Sequence, residues 1–310
     1  MTEMIGKVAL KLDYYEGEDL YSDGNVEEEL LEIVKKHGPE DFPRIIQEKG
    51  EWPFLYHLSV QRTNIIDWYP MKPGARVLEI GAGCGAITTA LVKKADRVVA
   101  NDLSKRRSSI NAWRNRDAEN LELIVGNFNT VAEKLEEKFD YITLIGVFEY
   151  AESYIREKDP YGVFLDKING LLAEDGEILI AIENRLGLKY FAGCKEDHKG
   201  KAFEGIEGYP STSGVRTFSK AELEQIFQKN GYTEYEFYYP YPDYKLPTVI
   251  YSDSYLPKKG ELLNNIRNFD ADRYVIFDEG KAFDGIIESG YFPIFSNSFF
   301  VSVKKKEVKQ

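Results

Sequence analysis

Apolar and polar residues in the first part of the chain follow two different spacings. Residues 8–14 alternate between apolar and polar side chains, which predicts a strand. Residues 26–36 carry apolar side chains at helical spacing and stop before Gly38-Pro39, which predicts a helix. A second helical pattern covers residues 56–68. We interpret residues 1–55 as an N-terminal appendage to the domain that follows.

From residue 76 onward, apolar segments of strand length alternate with helical patterns. This alternation is typical of a parallel sheet that helices cover on both faces. Two further alternating segments, residues 232–239 and 295–303, predict a sixth and a seventh strand, and the stretch between them is too long for a hairpin loop. We predict an α/β fold with a Rossmann-like, doubly wound, seven-stranded sheet and an inserted lid or cap at about residues 243–290. The first five predicted strands cover residues 76–80, 97–101, 121–125, 141–147 and 177–182.

The composition restricts the class of partner and the compartment. The 310 residues include 52 acidic and 40 basic side chains, giving a net charge of −12, which disfavours nucleic acid as a partner. No apolar run reaches the length of about 18 residues that a membrane span requires, so we predict no span. The only cysteines are Cys84 and Cys194, which suits a reducing compartment. We therefore expect a cytoplasmic protein.

A glycine turn follows the first predicted strand of the sheet. Gly81, Gly83 and Gly85 allow a tight turn and a close approach of a ligand to the backbone. The spacing also fits the dinucleotide pattern, so an NAD-dependent dehydrogenase stays open as an alternative. Glu79 would repel a pyrophosphate but favours a cationic ligand such as the methionine end of S-adenosylmethionine (SAM). Asp102, at the end of the second strand, can accept hydrogen bonds from both ribose hydroxyls.

In these motifs the chain resembles the class I SAM-dependent methyltransferases. The resemblance rests on residues 79–85, Asp102, 139–141 and 171–176, and it covers about residues 56–184. It implies that SAM is the cofactor and that residues 56–185 form the SAM-binding core. The residues expected to contact SAM are Arg62, Glu79, Gly81, Ala82, Gly83, Asp102, Leu103, Asn127, Phe128 and Gly146.

One of these positions departs from the commonest family pattern. Asn127 stands where an adenine-contacting aspartate is common, although its side-chain carbonyl can still accept from the adenine amino group. Arg62 is expected to cover the methionine carboxylate, and a solvated arginine on an amphipathic helix is the open alternative.

Residues 186–310 are interpreted as the substrate-side region. Ligands of a doubly wound sheet bind at the carboxyl ends of its strands, which directs attention to the residues that follow the fourth and fifth strands. A structural role stays open as the alternative for some of these side chains, since Glu149 can cap a turn and the tyrosine run can pack an insertion. The residues predicted to contact the substrate are Glu149, Tyr150, Asn184, Arg185, Tyr241 and Tyr244.

The predicted catalytic residue is His198, which lies in a polar loop after the fifth strand. An unperturbed histidine pKa near 6.5 suits a general base for a hydroxyl acceptor. Asp197 is expected either to orient His198 or to act by itself, and a structural hydrogen bond is the alternative role for the histidine. No group of His, Asp and Glu residues has the sequence spacing of a metal site, so we expect no metal.

A looser resemblance concerns about residues 183–300. Residues 182–193 and 240–244 look like parts of methyltransferase modules that are associated with bacterial cell-surface polysaccharide synthesis and with glycosyltransferases. This resemblance implies a saccharide or glycoconjugate substrate, with a glycosyltransferase as a candidate partner. The SAM turn, the acidic composition and the aromatic region after the fifth strand lead us to predict O-methylation of a saccharide or another small polar metabolite. Two alternatives stay open: N-methylation of a peptide or amine, and a non-catalytic SAM-binding scaffold that partners a glycosyltransferase.

Overall fold

The computed structural model describes residues 1–19, 24–155, 157–210, 214–265 and 272–306. The chain divides into two compact units. The first consists of Met1–Leu144 and Ile168–Ile178, and the second of Ile145–Lys167 and Leu179–Gln310. The residues predicted as an N-terminal appendage therefore belong to the first unit.

The described residues form ten strands, so the predicted α/β arrangement is confirmed but the predicted number of seven strands was wrong. The N-terminal segment adds two strands, of which only the second was recognised as a strand in the sequence. The predicted insertion adds a third. The strands are β1 (Thr2–Ile5), β2 (Val8–Tyr14), β3 (Arg76–Ile80), β4 (Arg97–Asp102), β5 (Leu121–Gly126), β6 (Phe139–Ile145), β7 (Leu172–Glu183), β8 (Tyr235–Tyr241), β9 (Val249–Ser252) and β10 (Ser298–Lys304).

The sheet of the first unit has the strand order β1-β2-β5-β4-β3-β6, followed by the first part of β7. Strands β2, β5, β4, β3 and β6 run parallel to one another, and β1 pairs antiparallel with β2. From β3 the chain proceeds outward through β4 and β5 on one side, whereas β6 lies on the other. The strand order therefore reverses at β3, and ligands of doubly wound sheets bind at such a switch point.

The second unit contains the end of β7, next to which the strands follow in the order β10-β8-β9. Strand β8 pairs antiparallel with both β10 and β9. The predicted insertion thus contains a sheet strand as well as helices, and its residues 266–271 lie outside the described residues. Its role as a lid stays a prediction.

The helices alternate with the strands of the core as the sequence predicts, with one difference. The helix predicted over residues 56–68 is interrupted at Ser59, whose backbone is extended and whose Oγ accepts from the N–H of Gln61 at 3.2 Å. No helix in the described part of the chain combines the length and the apolar character needed to cross a bilayer. The helices are α1 (Asn25–Lys36), α2 (Phe42–Lys49), α3 (Trp52–Leu58), α4 (Asn64–Asp67), α5 (Thr88–Lys94), α6 (Lys105–Arg114), α7 (Phe128–Ala132), α8 (Ala151–Tyr154), α9 (Pro160–Leu171), α10 (Leu188–Phe191), α11 (Lys220–Lys229), α12 (Glu279–Glu288) and α13 (Phe292–Phe295), with 3₁₀ helices at Val60–Thr63 and Phe148–Tyr150.

The N-terminal helices help to build the core of the first unit. Apolar residues of α1, α2 and α3 form one buried cluster with Ile110 of α6 and with Cys84 of the glycine turn. A buried ion pair also joins α1 to α6, since Glu27 accepts from Nε of Arg107 at 2.6 Å and the two side chains are 0% and 11% exposed. Residues 1–55 therefore support the backbone next to the predicted SAM site.

Replacing Arg107 with alanine removes the cation that faces the buried carboxylate of Glu27. We expect the free energy of unfolding to fall by about 3–5 kcal/mol. The matched control is Arg106→Ala, which removes an exposed pair with Glu28 and should cost at most about 1 kcal/mol. Chemical denaturation of both variants at pH 7 measures the difference, and equal losses would contradict a special role for the buried pair.

Candidate functional site

The turn between β3 and α5 is fixed by hydrogen bonds to the end of β4. The N–H groups of Gly81 and Ala82 donate to the carbonyl oxygen of Asn101 at 2.8 and 3.0 Å. The N–H of Gly83 donates to the carboxylate of Asp102 at 2.8 Å. Gly81 and Gly83 have φ values of +70° and +52°, a backbone conformation that favours glycine. The predicted cofactor turn and the predicted ribose-binding acid are therefore in direct contact.

The glycines of this turn serve different purposes. A Cβ atom on Gly85 would lie 2.4 Å from Oδ1 of Asn111, so this glycine allows α6 to pack closely against the turn. A Cβ atom on Gly83 would meet no other atom within 4 Å, so this position faces open space. Gly83 is thus the glycine at which a ligand can approach the backbone, as a SAM site requires.

Glu79 is buried at the end of β3, where its side chain accepts from the hydroxyl of Thr88 at 2.5 Å. Burial and the charge of Asp102 raise the pKa of Glu79 to about 8, although the Thr88 hydrogen bond and the charge of Arg62 oppose the shift. Arg62 is also buried and donates to the hydroxyl of Tyr56 at 3.3 Å. At neutral pH, Glu79 therefore holds a proton that a nearby cation would displace.

The residues predicted beside the ribose and adenine lie at the ends of β4 and β5. Leu103 is half-buried directly after Asp102, and Phe128 is buried at the start of α7. The side chain of Asn127 caps this helix by accepting from the N–H of Asn129 at 2.9 Å. A carbonyl oxygen has two lone pairs, so this cap leaves one for an adenine amino group. The contact with adenine stays a prediction.

In the second unit, three side chains from distant positions in the sequence converge. Glu149 lies in the 3₁₀ helix after β6, Glu183 is the last residue of β7, and His198 follows α10. Nε2 of His198 lies 3.5 Å from Oε2 of Glu183 and 4.0 Å from Oε1 of Glu149. Its Nδ1 lies 3.0 Å from the hydroxyl of Tyr150. We refer to Glu149, Glu183 and His198 as the acid–base cluster.

The loop that carries His198 is held in place by a buried glutamate. The carboxylate of Glu196 accepts from the main-chain N–H groups of His198 and Lys199 at 2.9 and 2.7 Å. It also accepts from the hydroxyl of Tyr209 at 3.1 Å. His198 therefore has a defined position although it lies in neither a helix nor a strand.

Asp197 pairs with lysines. Its carboxylate lies 3.1 Å from Nζ of Lys189, accepts from the hydroxyl of Tyr190 at 2.5 Å and forms an ion pair with Lys245. Nζ of Lys245 also lies 2.7 Å from Oε1 of Glu183. Asp197 is thus connected to the acid–base cluster through Lys245, and its role in orienting His198 or acting by itself stays a prediction.

The surroundings of the acid–base cluster shift the pKa values of all three members. Burial lowers the pKa of His198, but Glu183 and the charge of Glu149 overcome this effect and raise it to about 9. Burial raises the pKa of Glu149, whereas Lys245 and His198 hold that of Glu183 well below its usual range despite its burial. At neutral pH, His198 and Glu149 therefore hold protons and Glu183 is ionised. The sequence suggested an unperturbed histidine, and the two glutamates explain the difference.

Two of the other predicted substrate residues make contacts that stabilise the fold. The side-chain amide of Asn184 donates to the carbonyl oxygens of Ile294 and Ser296, both at 2.7 Å. Nε of Arg185 donates to the carboxylate of Glu222 at 2.6 Å. These contacts hold segments of the second unit together, and contact of Asn184 or Arg185 with a substrate stays a prediction.

The tyrosine run is buried rather than presented to solvent. Tyr241 and Tyr244 are 5% and 2% exposed, and the hydroxyl of Tyr241 accepts from the N–H of Asn264 at 2.7 Å. Gly146 has a φ of +71°, and a Cβ atom at this position would lie 2.8 Å from the hydroxyl of Tyr244. A glycine after β6 therefore makes room for Tyr244.

Three charged residues of the second unit were absent from the predicted site: Glu183, Lys189 and Lys245. The available signal was a charged residue in an apolar or aromatic setting. Glu183 ends an apolar strand, and Lys245 follows the tyrosine run. Because buried charges are almost always paired, such positions indicate ion-pair networks.

Comparison with known proteins gives a family match. The family model described as "Methyltransferase domain" matches residues 53–236, more than half of the chain. No curated protein matches the chain.

Several solved structures are similar to the chain. A SAM-dependent methyltransferase of Thermotoga maritima, described as a possible histamine N-methyltransferase, is 18% identical with a TM-score of 0.45, and the match covers 87% of this chain and 100% of that one. Phosphoethanolamine N-methyltransferase 1 of Haemonchus contortus is 14% identical with a TM-score of 0.48, and the match covers 90% of this chain and 51% of that one. The CurJ carbon methyltransferase is 12% identical with a TM-score of 0.46, and the match covers 92% of this chain and 68% of that one. Because these TM-scores are low, the family assignment rests on the family model.

The protonation of His198 can be measured directly, because the chain has only three histidines. We expect the His198 ring to titrate by NMR with a pKa of about 9. The protein is first treated with a chelator, so that no bound metal ion affects the titration. Glu183→Gln removes the nearest negative charge and should lower this pKa by more than about one unit. Glu48→Gln, an exposed control on α2, should leave it unchanged. A His198 pKa near 6.5 in the unsubstituted protein would contradict the structure of the cluster.

Proposed function

Since the chain belongs to the methyltransferase-domain family and uses SAM, we propose that it methylates a hydroxyl oxygen of a saccharide or another small polar metabolite. The observation that carries this proposal is the buried acid–base cluster of the second unit. A hydroxyl must lose its proton during methyl transfer, whereas an amine acts through its lone pair and needs only orientation. A buried group of titratable side chains is therefore expected for an oxygen acceptor.

The first unit would hold the cofactor. Gly83 leaves open space at the turn, Asp102 can accept from the ribose hydroxyls, and Glu79 can stabilise the positive end. Bound SAM supplies a methyl group on a positively charged sulfur. The charge of Arg62 lowers the pKa of Glu79, so Arg62 lies near the residue that would face the methionine end of SAM. From there Arg62 would pair with the methionine carboxylate.

The second unit would supply the acceptor chemistry. The acceptor oxygen forms a bond to the methyl carbon as the carbon–sulfur bond breaks, and its proton passes to the acid–base cluster. Tyr150 contacts the ring of His198, while Lys245 keeps Glu183 ionised although the nearby charge of Asp197 opposes this. His198 accepts a proton only in its neutral form, and this form increases as the pH approaches 9.

The looser resemblance of residues 183–300 supports a saccharide acceptor and a glycosyltransferase as a partner. The net charge of −12 supports an uncharged or cationic acceptor over a polyanion. The buried tyrosines add no support, since their rings pack inside the protein.

The protonation of Glu79 predicts how SAM binding depends on pH. Since its pKa is raised to about 8, the carboxylate that favours a cation becomes available as the pH rises through that value. We expect the affinity for SAM to increase by about tenfold between pH 6.5 and 9. Isothermal titration measures this increase, with S-adenosylhomocysteine, which lacks the sulfonium charge, as the control ligand. Glu79→Gln should remove the pH dependence, and an unchanged slope in this variant would refute the assignment.

The acceptor chemistry is tested with labelled SAM and a panel of saccharides, small hydroxylated metabolites and amines. We expect methyl ethers as products, with a rate that rises toward pH 9. His198→Asn and Glu149→Gln should lower kcat by about a hundredfold or more while SAM binding is retained. His37→Asn, a change of a half-exposed histidine at the end of α1, is the matched control and should have no effect.

Two results would contradict this proposal. Transfer to amines alone, with nearly full activity in His198→Asn, would favour N-methylation. Tight binding of SAM without transfer to any acceptor in the panel would favour the non-catalytic scaffold.

A further inference from the structure

We propose that the acid–base cluster is a binding site for one divalent transition-metal ion, with Glu149, Glu183 and His198 as its protein ligands. One ligand atom from each of these residues lies within 4.8 Å of the other two. The three residues come from three separate elements of the second unit. Metal binding itself is independent of the proposed function.

The distances within the cluster fit a metal site after a small contraction. Nitrogen and oxygen ligands bind zinc at about 2.0–2.2 Å in tetrahedral geometry, which separates neighbouring ligand atoms by about 3.4 Å. In the cluster, the distance from Nε2 of His198 to Oε2 of Glu183 is 3.5 Å, and that to Oε1 of Glu149 is 4.0 Å. The ligand atoms of Glu149 and Glu183 lie within 4.8 Å of each other, so the two carboxylates would have to approach by up to about 1.4 Å to complete the geometry.

Polar atoms without partners at the centre of the cluster are the second observation. Among the described residues, buried Oε2 of Glu149 has no hydrogen-bond partner, and buried Nε2 of His198, which lies 3.5 Å from Oε2 of Glu183, makes no hydrogen bond of good geometry. Glu149 is only 1% exposed. A buried polar atom without a partner is rare and costs free energy, and a bound ion is one of its recognised explanations. Both atoms belong to side chains that converge on the same point.

The neighbours of the cluster orient its ligand atoms. Tyr150 occupies Nδ1 of His198 at 3.0 Å, which leaves Nε2 directed toward the two carboxylates. Lys245 lies 2.7 Å from Oε1 of Glu183, which leaves Oε2 of the same carboxylate facing the histidine. Metal-binding histidines and carboxylates generally have such outer partners, which fix the direction of their lone pairs.

The set of ligands indicates the kind of ion. Two carboxylates balance the charge of a divalent cation, and an imidazole ligand favours zinc over calcium and magnesium. Manganese, which carboxylates suit, is the second candidate. Three protein ligands leave a coordination position open, as in catalytic zinc sites. With an ion bound, Nε2 of His198 would be a ligand and no longer a base. The cation would instead polarise a hydroxyl group of the acceptor and lower its pKa, and this role alone rests on the proposed function.

The test uses the full chain, freed of metal with a chelator and titrated separately with Zn²⁺ and Mn²⁺. We expect one ion per chain by calorimetry and by elemental analysis. Glu149→Gln and His198→Asn should each weaken binding at least tenfold. Substitution with Co²⁺ should give visible absorption bands that change in both variants. His37→Asn removes the other histidine–carboxylate pair, His37 with Asp41 at 3.0 Å, and should leave the affinity unchanged.

Circular dichroism and thermal unfolding in the presence of chelator check the fold of each variant. Glu149→Gln is nearly isosteric, so it remains informative if His198→Asn is unstable. The absence of a one-to-one site, or equal affinities in the unsubstituted protein and in Glu149→Gln, would overturn the inference. If the protein binds zinc but methylates no hydroxyl, the metal site stands and the proposed function fails.

Discussion

Buried carboxyl groups determine the chemistry of both units of this protein. Glu79, Glu149 and Glu183 are at most 3% exposed, and each lies at or just after the end of a core strand. A carboxylate removed from water requires a proton, a cation or hydrogen-bond donors. Glu183 is stabilised by a lysine and a histidine, whereas the raised pKa values of Glu79 and Glu149 show that these groups hold protons instead.

In the first unit, the buried carboxyl group of Glu79 lies on β3, the strand at the switch point of the sheet. The strand order reverses at β3, so the chain leaves this strand where a doubly wound sheet binds its ligand. The glycine turn follows immediately and is fixed to β4 through Asn101 and Asp102. Helices α1 to α3 pack on Cys84 within this turn. The N-terminal segment therefore packs against the residues that form the turn.

The features that depend on residues close together in the sequence could be predicted from it. The glycine turn and Asp102 were recognised because a strand, a turn and an acid occur in a short, ordered pattern. Strands β1 and β9 were missed because each has only four residues, too few for a periodic pattern. The interruption at Ser59 was missed because a single extended residue does not disturb the apolar spacing around it.

The acid–base cluster shows the limit of arguments from spacing. Its members are 34 residues apart (149 to 183) and 15 residues apart (183 to 198), and only the fold brings them together. His198 could be selected as one of three histidines, but its pKa could not be anticipated because the shift comes from two distant glutamates. The sequence predicts no metal site for the same reason, because Glu149, Glu183 and His198 are not close together along the chain.

The charge balance of the cluster connects its acid–base chemistry with the proposed metal site. Asp197 and Glu183 share Lys245, which keeps Glu183 ionised, and the charge of Glu183 in turn keeps a proton on His198. Glu149 holds a second proton because it is buried beside Glu183. Two protons and one divalent cation carry the same positive charge. A metal ion that replaces both protons would therefore leave the net charge of the cluster unchanged.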